Sequence, residues 1–335
     1  MFWRNKKLDG NKKLDDTTIF FCSDIHASTI CFRKFINAAK HYTSKELHVD
    51  ILIVGGDITG KMIVPIIKTG NGTYRSYLLG KKLTLSSQGE IEELTKKTEV
   101  LGVYPHIFEP DEYEAFKGST ELQDKLFQEL ALKRLQEWMD IATEKLDGSD
   151  IQCYVSPGND DFDECKSILD ASPVVTCPDM KTIKISNDHE MVSLGYANIT
   201  PFHCPRDVPE EQLTERIETM VSEVGDMSNC IFNLHCPPLN SGLDEAPLLD
   251  DDLRPKMGTT GIIMSPVGSR AVRAAIEKYQ PLLALHGHVH ESRGTIKLGR
   301  TLCINPGSEY SEGILYGTLV TIRKGEVVNH MLTSG

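Results

Sequence analysis

Short apolar runs, each closed by polar, glycine or proline residues, recur along the chain with helically spaced stretches between them. "TTIFFC" begins at Thr17, "VDILIV" at Val49, "IQCYVS" at Ile151, "EMVSLGYANI" at Glu190, "CIFNLH" at Cys230 and "PLLALH" at Pro281. Uninterrupted apolar runs of this length read as strands buried on both faces. After the first of them, "CFRKFINAAKHY" sets Phe32, Phe35, Ile36 and Ala39 on one helical face, and a helix is predicted from about Ser269. The alternation predicts an α/β chain with a largely buried sheet. At the end, "ILYGTLVTI" and "RKGEVVNHML" predict a closing β-hairpin that turns at Lys324-Gly325.

Residues from about 60 to 150 break the alternation. They hold a hairpin candidate, "YRSYLLGKKLTLSS", a helix opened by a Ser87/Glu90 capping box, and a longer helix opened by Thr120/Gln123. In the longer helix Leu122, Leu126, Leu130, Leu135, Trp138, Ala142 and Leu146 form one apolar face, which reads as core packing. The stretch is expected to be an elaboration inserted between two strands that carry the chemistry, and the source of substrate selection. Residues 1–16, with "NKKLD" twice, read as a disordered or frayed tail.

Composition adds bounds to this picture. A chain of 335 residues, 40% hydrophobic and 25% charged, is of ordinary globular make-up. A net charge of -12 and a pI near 5.4 argue against a general nucleic-acid or membrane binder, because polyanions are repelled at long range. No stretch has the apolar length of a membrane helix, and the head lacks the apolar core of a secretion signal. Nine scattered cysteines without a C-x-x-C pair read as reduced thiols, so a cytoplasmic protein is expected.

Polar residues of one chemical kind sit just past the apolar runs. Asp24 and His26 follow the first, Asp57 the second, Asn159 and Asp160 the third; His235 ends the fifth, and His286, His288 and His290 end the sixth. Ligands of α/β sheets bind beyond the carboxyl ends of strands, so these segments should converge on one crevice. Carboxylate, imidazole and amide oxygen without thiolate suit Mn, Fe, Zn or a similar divalent ion, and two such ions account for the number of ligands. Two ions clamp a phosphoryl group and generate a hydroxide at neutral pH, with Asp57, behind Gly55-Gly56, as the natural bridge.

In order, D-x-H, G-G-D, G-N-D, a strand-end His and G-H-x-H resemble the signature of the calcineurin-like metallophosphoesterase superfamily, from Asp24 to "NPGSEY" at 305–310. "GGDITGK", "PGNDD", "LHCPP", "HGHVHES" and "INPGSEY" are similar to its Icc-related group of predicted phosphohydrolases. The resemblance implies an α/β fold of the four-layer αββα sandwich type over residues 17–335, with an inserted α+β elaboration at 60–150. It implies a metal-dependent phosphoesterase with two divalent metal ions. One would take Asp24, His26, Asp57 and His290, and the other Asp57, Asn159, His235 and His288. His286 falls outside the matching motif and reads as packed behind the ligands. Ser308, Lys61, Arg206, Arg254 and Arg293 are further candidates for contact with phosphate.

The third motif departs from the superfamily. Most members carry G-N-H there, with the His on the phosphate and leaving group; here Asp160 stands in its place, as the catalytic candidate. Two ions, Asp24, Asp57 and a bridging hydroxide sum to about +1, which an ionised Asp160 would cancel, so a phosphodiester is expected over a dianionic monoester. The expected partner is a small-molecule phosphoester. Alternatives are a non-catalytic protein-interaction module on the same fold, and a nuclease, which the acidity disfavours.

Overall fold

The computed structural model describes residues 16–45 and 47–335, and within them a mixed α/β fold. Residues 1–15, almost all of the expected tail, lie outside the described residues. Asp16 is tied down, because Arg323 Nε donates to its Oδ1 at 2.6 Å.

Two six-stranded sheets carry the molecule. The first runs Glu326–Ser334, Tyr316–Arg323, Thr17–Cys22, Ile51–Val54, Gln152–Val155 and Val175–Thr176 across its width. Its last four strands are parallel, and the first two are the closing hairpin, turned at Lys324-Gly325 as expected. The second sheet runs Gly294–Leu298, Thr301–Asn305, Leu283–Leu285, Cys230–Leu234, Glu190–Leu194 and Lys181–Lys184, with its central four strands parallel. The "EMVSLGYANI" run does not stay one strand: it ends at Leu194, and Ala197–Asn198 pairs elsewhere, with Asp207–Val208.

Side-chain alternation sends each strand into two cores. Ile19, Phe21, Ile51 and Ile53 from one sheet meet Met191, Ile231, Leu283 and Ile304 from the other. The outward residues Phe20, Cys22, Leu52 and Val54 pack instead under helices α1 (Thr29–Thr43) and α4 (Thr120–Leu146), while α2 (Gln88–Leu101), α3 (Pro110–Lys117) and α5 (Cys165–Asp170) lie between or after them in the chain. On the far side, Val192, Phe232 and Ala284 pack under α6 (Glu210–Val221) and α7 (Arg270–Tyr279), whose N-cap is Ser269.

The 60–150 stretch splits. Ile63–Thr69, Thr73–Leu78, Lys81–Leu85 and Tyr104–Phe108 form a separate four-stranded sheet covered by α2, and the expected hairpin, Thr73–Leu78 with Lys81–Leu85, lies at one edge of it. Ser87 caps α2 by accepting from Glu90 N at 3.3 Å; the Glu90 carboxylate reaches Ser86 N rather than closing the box on Ser87. Helix α4 is capped by Ser119, which accepts from Leu122 N, and not by Thr120: the hydroxyl must lie outside the first helical residue to face the free amides. Its apolar face works only toward its C-terminal end, where Leu135, Trp138, Met139, Ala142 and Leu146 are buried in the core beside α1, whereas Leu122 is exposed. Among the described residues no helix is long and apolar enough to cross a membrane.

Trp138 joins that helix to the rest. Its indole stacks on Phe32 at 4.4 Å and 5° between planes, and its Nε1 donates to Thr29 Oγ1 at 3.1 Å. Trp138→Ala should therefore cost about 3–5 kcal/mol, seen as a lower urea midpoint with an unchanged slope.

Candidate metal centre

Every candidate ligand stands directly past a parallel strand, and the two sheets bring those strand ends together. The tight turns there are paid for in backbone strain: Asp24 (φ 56), His26 (φ 35), Ala27 (φ 54), Asp57 (φ 52) and His288 (φ 66) all occupy the left-handed region. Such residues cost about 1–3 kcal/mol each and persist only where the surroundings over-determine them. Two glycines allow the close approach. A Cβ on Gly158 would lie 2.1 Å from Asp57 Oδ1, and one on Gly56, itself at φ +140, would lie 2.4 Å from His235 Nδ1.

The side chains form three groups whose ligand atoms lie within 4.8 Å of one another: Asp24, His26 and His290; Asp57, His235 and His288; and His26, Asp57 and Asp160. Asn159 joins the second through its Oδ1, 2.9 Å from His288 Nδ1. All the residues expected as ligands are thus brought together. His286 is in none of the groups; it is buried, with Nδ1 2.7 Å from the Leu234 carbonyl, as a packing histidine.

Two of the imidazoles are aimed. His26 Nδ1 lies 3.1 Å from the Thr59 carbonyl and His235 Nδ1 lies 3.2 Å from the Gly55 carbonyl. A carbonyl only accepts, so each ring carries its proton on Nδ1 and turns Nε2 to the crevice, the usual arrangement behind a metal. His235 Nε2 is buried, forms no hydrogen bond, and lies 3.3 Å from Asp57 Oδ1. His26 Nε2 and His290 Nε2 face each other at 3.1 Å. Aimed nitrogen donors set against two buried carboxylates fit divalent cations with oxygen and nitrogen preference, so several of these clusters could hold metal ions.

Charge follows the same geometry. Burial opposes ionisation of Asp57, but His235 and His26 outweigh it and hold its carboxyl well below the ordinary value. For Asp24 burial is again overcome, by His290 and His235, and its pKa falls to about 2. His235 is the converse: burial disfavours its charge, yet Asp57 and Asp24 raise it to about 9. His26 and His288 go down, to about 3 and about 4, through burial first and then through Lys61 and His235 respectively.

Four residues outside the ligand set hold the frame, and the sequence pointed to none of them in that role. Asp161, fully buried, accepts from Ile58 N, Thr59 N, Thr59 Oγ1 and Gly158 N at 2.6–3.0 Å, which ties the Asp57 loop to the Asn159 loop. Asp207 accepts from Asn159 Nδ2 at 2.9 Å, which turns the amide oxygen toward His288. Arg206, offered above as a phosphate contact, is instead buried, ion-paired with Asp179, and donates to the Gly158 carbonyl at 2.8 Å. Tyr310 packs its ring 4.7 Å from that of His26.

The other phosphate candidates also resolve. Ser308 spends its hydroxyl on the Asp24 carbonyl at 2.6 Å and its N–H on the His290 carbonyl. Arg293 donates to the Pro306 and Thr333 carbonyls, and Arg254 is exposed beside Asp252. Lys61 alone of these lines the same cavity as the ligands, and it closes as an ion pair onto Asp160. Burial works against the Lys61 ammonium, but Asp57 and Asp160 raise its pKa above the ordinary value. The charge expected of Asp160 is therefore paired with that of Lys61 within the site.

No protein-family model matches the chain. An uncharacterized protein of Methanocaldococcus jannaschii is 31% identical over 152 residues, which span 45% of this chain and 61% of that protein. One solved crystal structure is similar over 95% of this chain and 98% of its own, at a TM-score of 0.52 and 15% identity, a likeness of fold. TT1561 of Thermus thermophilus covers the same shares at 13% identity and a TM-score of 0.48.

The Asp161 clamp has a direct test. Asp161→Asn turns an NH2 group toward buried N–H donors and leaves at least one of them unpaired, at a cost of about 1–3 kcal/mol. The expected result is a melting temperature lowered by several degrees, together with a reduced content of bound divalent metal by elemental analysis.

Proposed function

We propose that the chain is a metal-dependent phosphoester hydrolase of the calcineurin-like metallophosphoesterase type, a single domain over residues 17–335 with the sheet at 63–108 as its insertion. The observation that carries the reading is the pair of ligand groups, Asp24/His26/His290 and Asp57/His235/His288, side by side at the strand ends of two facing sheets. Apolar clusters between the sheets and under each helical face support the four-layer αββα description. Nine free cysteines support a reducing compartment such as the cytoplasm.

In this reading one ion is held by Asp24, His26, Asp57 and His290, and the other by Asp57, Asn159, His235 and His288. When bound, two divalent ions, Mn, Fe, Zn or similar, supply Lewis acidity toward a phosphoryl group and acidify the attacking water. The chain's own part is positional and electrostatic. Asp57 lies within reach of both groups, with Oδ2 3.7 Å from His26 Nε2 and Oδ1 3.3 Å from His235 Nε2. Asp207 keeps the Asn159 oxygen turned inward. Lys61 brings a cation to the cavity floor, where it meets a phosphoryl oxygen, and Asp160 holds it there. The Lys61–Asp160 pair thus stands where the superfamily places its histidine, and the intact ligand set favours an enzyme over a decayed scaffold.

Asp57→Asn should abolish turnover of bis(4-nitrophenyl) phosphate and lower metal content, while circular dichroism stays native-like. Chelation should remove wild-type activity and divalent metal restore it. A variant with full metal occupancy and wild-type rate would sink the assignment.

The pair gives a second test, because its two halves carry opposite charge. Lys61→Met leaves Asp160 uncompensated and should lower the ratio of monoester to diester kcat/KM; Asp160→Asn leaves Lys61 uncompensated and should raise it. A charge about 5 Å from the phosphoryl group at an effective dielectric near 20 is worth about 3 kcal/mol. Partial solvent exposure of Lys61 reduces this to roughly tenfold in each direction. Shifts of the same sign in both variants would contradict the charge account.

A further inference from the structure

A cavity of about 670 Å³ rises from the metal centre. Asp57, Asn159, Asp160, His288 and His290 line its floor. Its walls come from two segments far apart in sequence, 198–204 and 246–255, closed by Val267. Those walls are apolar: Ile199, Phe202, Leu248 and Leu253 all face solvent, Phe202 at 63% and Ile199 at 58% exposure. Isolated exposed apolar residues are ordinary, but a concave group continuous with a charged floor is a binding surface.

Several polar side chains of the two wall segments are already engaged, while Ser265 and Glu291 also line the cavity. Thr200 Oγ1 donates to Asp207 at 2.6 Å, and Asn198 Nδ2 donates to the Val267 carbonyl at 3.2 Å while its Oδ1 accepts from Cys236 Sγ. Asp250 accepts from Asp252 N and Arg254 N within its own turn. A nucleobase or sugar laid along Ile199, Phe202, Leu248 and Leu253 would set its donors and acceptors against apolar side chains, at a cost that hydrocarbon does not incur. The neighbouring acids Asp250, Asp251 and Asp252, on a chain of net charge -12, also disfavour an anionic bilayer.

We propose that the walls bind a hydrocarbon chain, so that the substrate is an amphiphilic phosphoester: phosphoryl group on the metal-centre floor, alkyl or acyl chain along Phe202, Ile199, Leu248 and Leu253. This substrate class rests on the phosphoester-hydrolase reading, and the experiment separates the two. Methyl-, butyl- and hexylphosphonate are titrated into the Mn2+-loaded full chain by calorimetry, and turnover of methyl 4-nitrophenyl phosphate is measured on the same preparation. Each buried methylene tightens binding roughly fourfold. Butylphosphonate should therefore bind at least tenfold tighter than methylphosphonate, a gain that falls below threefold in Phe202→Ser/Leu253→Ser. Both side chains are exposed, so circular dichroism should show the variant folded. Turnover with no chain-length gain, or a gain that survives in the variant, overturns the apolar wall alone. A chain-length gain without turnover overturns the hydrolase reading alone. Failure of every phosphonate to bind, together with absence of turnover, overturns both.

Discussion

Two carboxylates, Asp24 and Asp57, are buried side by side where the sheets meet, and most of the local structure answers to that charge. An ionised carboxylate in a protein interior is tolerated only when paired or bound to a cation. Here the pairing is supplied by imidazoles from the other sheet. His235 lies 3.3 Å from Asp57 and His290 lies 3.5 Å from Asp24. The same side chains that balance the acids in the protein include groups that could hold a divalent ion.

Holding those donors in place has a cost that the surroundings meet. Left-handed backbone at Asp24, His26, Asp57 and His288 would relax if the loops were free. They are not free: Asp161 accepts four hydrogen bonds from two of the loops, Arg206 holds the Gly158 carbonyl, and Ser308 holds that of Asp24. The insertion also presses on the site, since Ser28 Oγ donates to the Val100 carbonyl at 2.8 Å and Gly60 N donates to the Tyr104 hydroxyl at 2.7 Å. The 60–150 stretch and the apolar walls thus both border the same cluster of acids and imidazoles.

Much of this was legible in the sequence. Buried parallel strands need uninterrupted apolar runs, and functional groups of α/β sheets gather just beyond their carboxyl ends, so "TTIFFC" pointed to Asp24 and "ILIVGGD" to Asp57. The hairpin at Lys324-Gly325 and the cap at Ser269 were equally local, because a turn or a cap is decided within a few residues. Periodicity misled where one apolar stripe runs past the surface it packs on, as in α4, whose Leu122 meets solvent, and where one run is divided between two sheets, as at Leu194.

The tertiary structure alone decided what the charged residues do. Asp160 and Asp161 are neighbours in "GNDD", yet one pairs with Lys61 at the cavity and the other clamps the loops behind it. Apart from Gly158, which donates to Asp161 from within the same turn, the partners named above lie about a hundred residues back along the chain, at Ile58, Thr59 and Lys61. Electrostatic and hydrogen-bonded roles depend on which groups come within a few ångströms, and no local pattern encodes that when the partner is on another strand. The apolar wall is of the same kind, since Phe202 and Leu253 come to line one cavity only through the folding of two distant segments. Composition and periodicity set the strands and the ligand types; the packing of strand ends against one another set the charge balance, the clamps and the shape of what can bind.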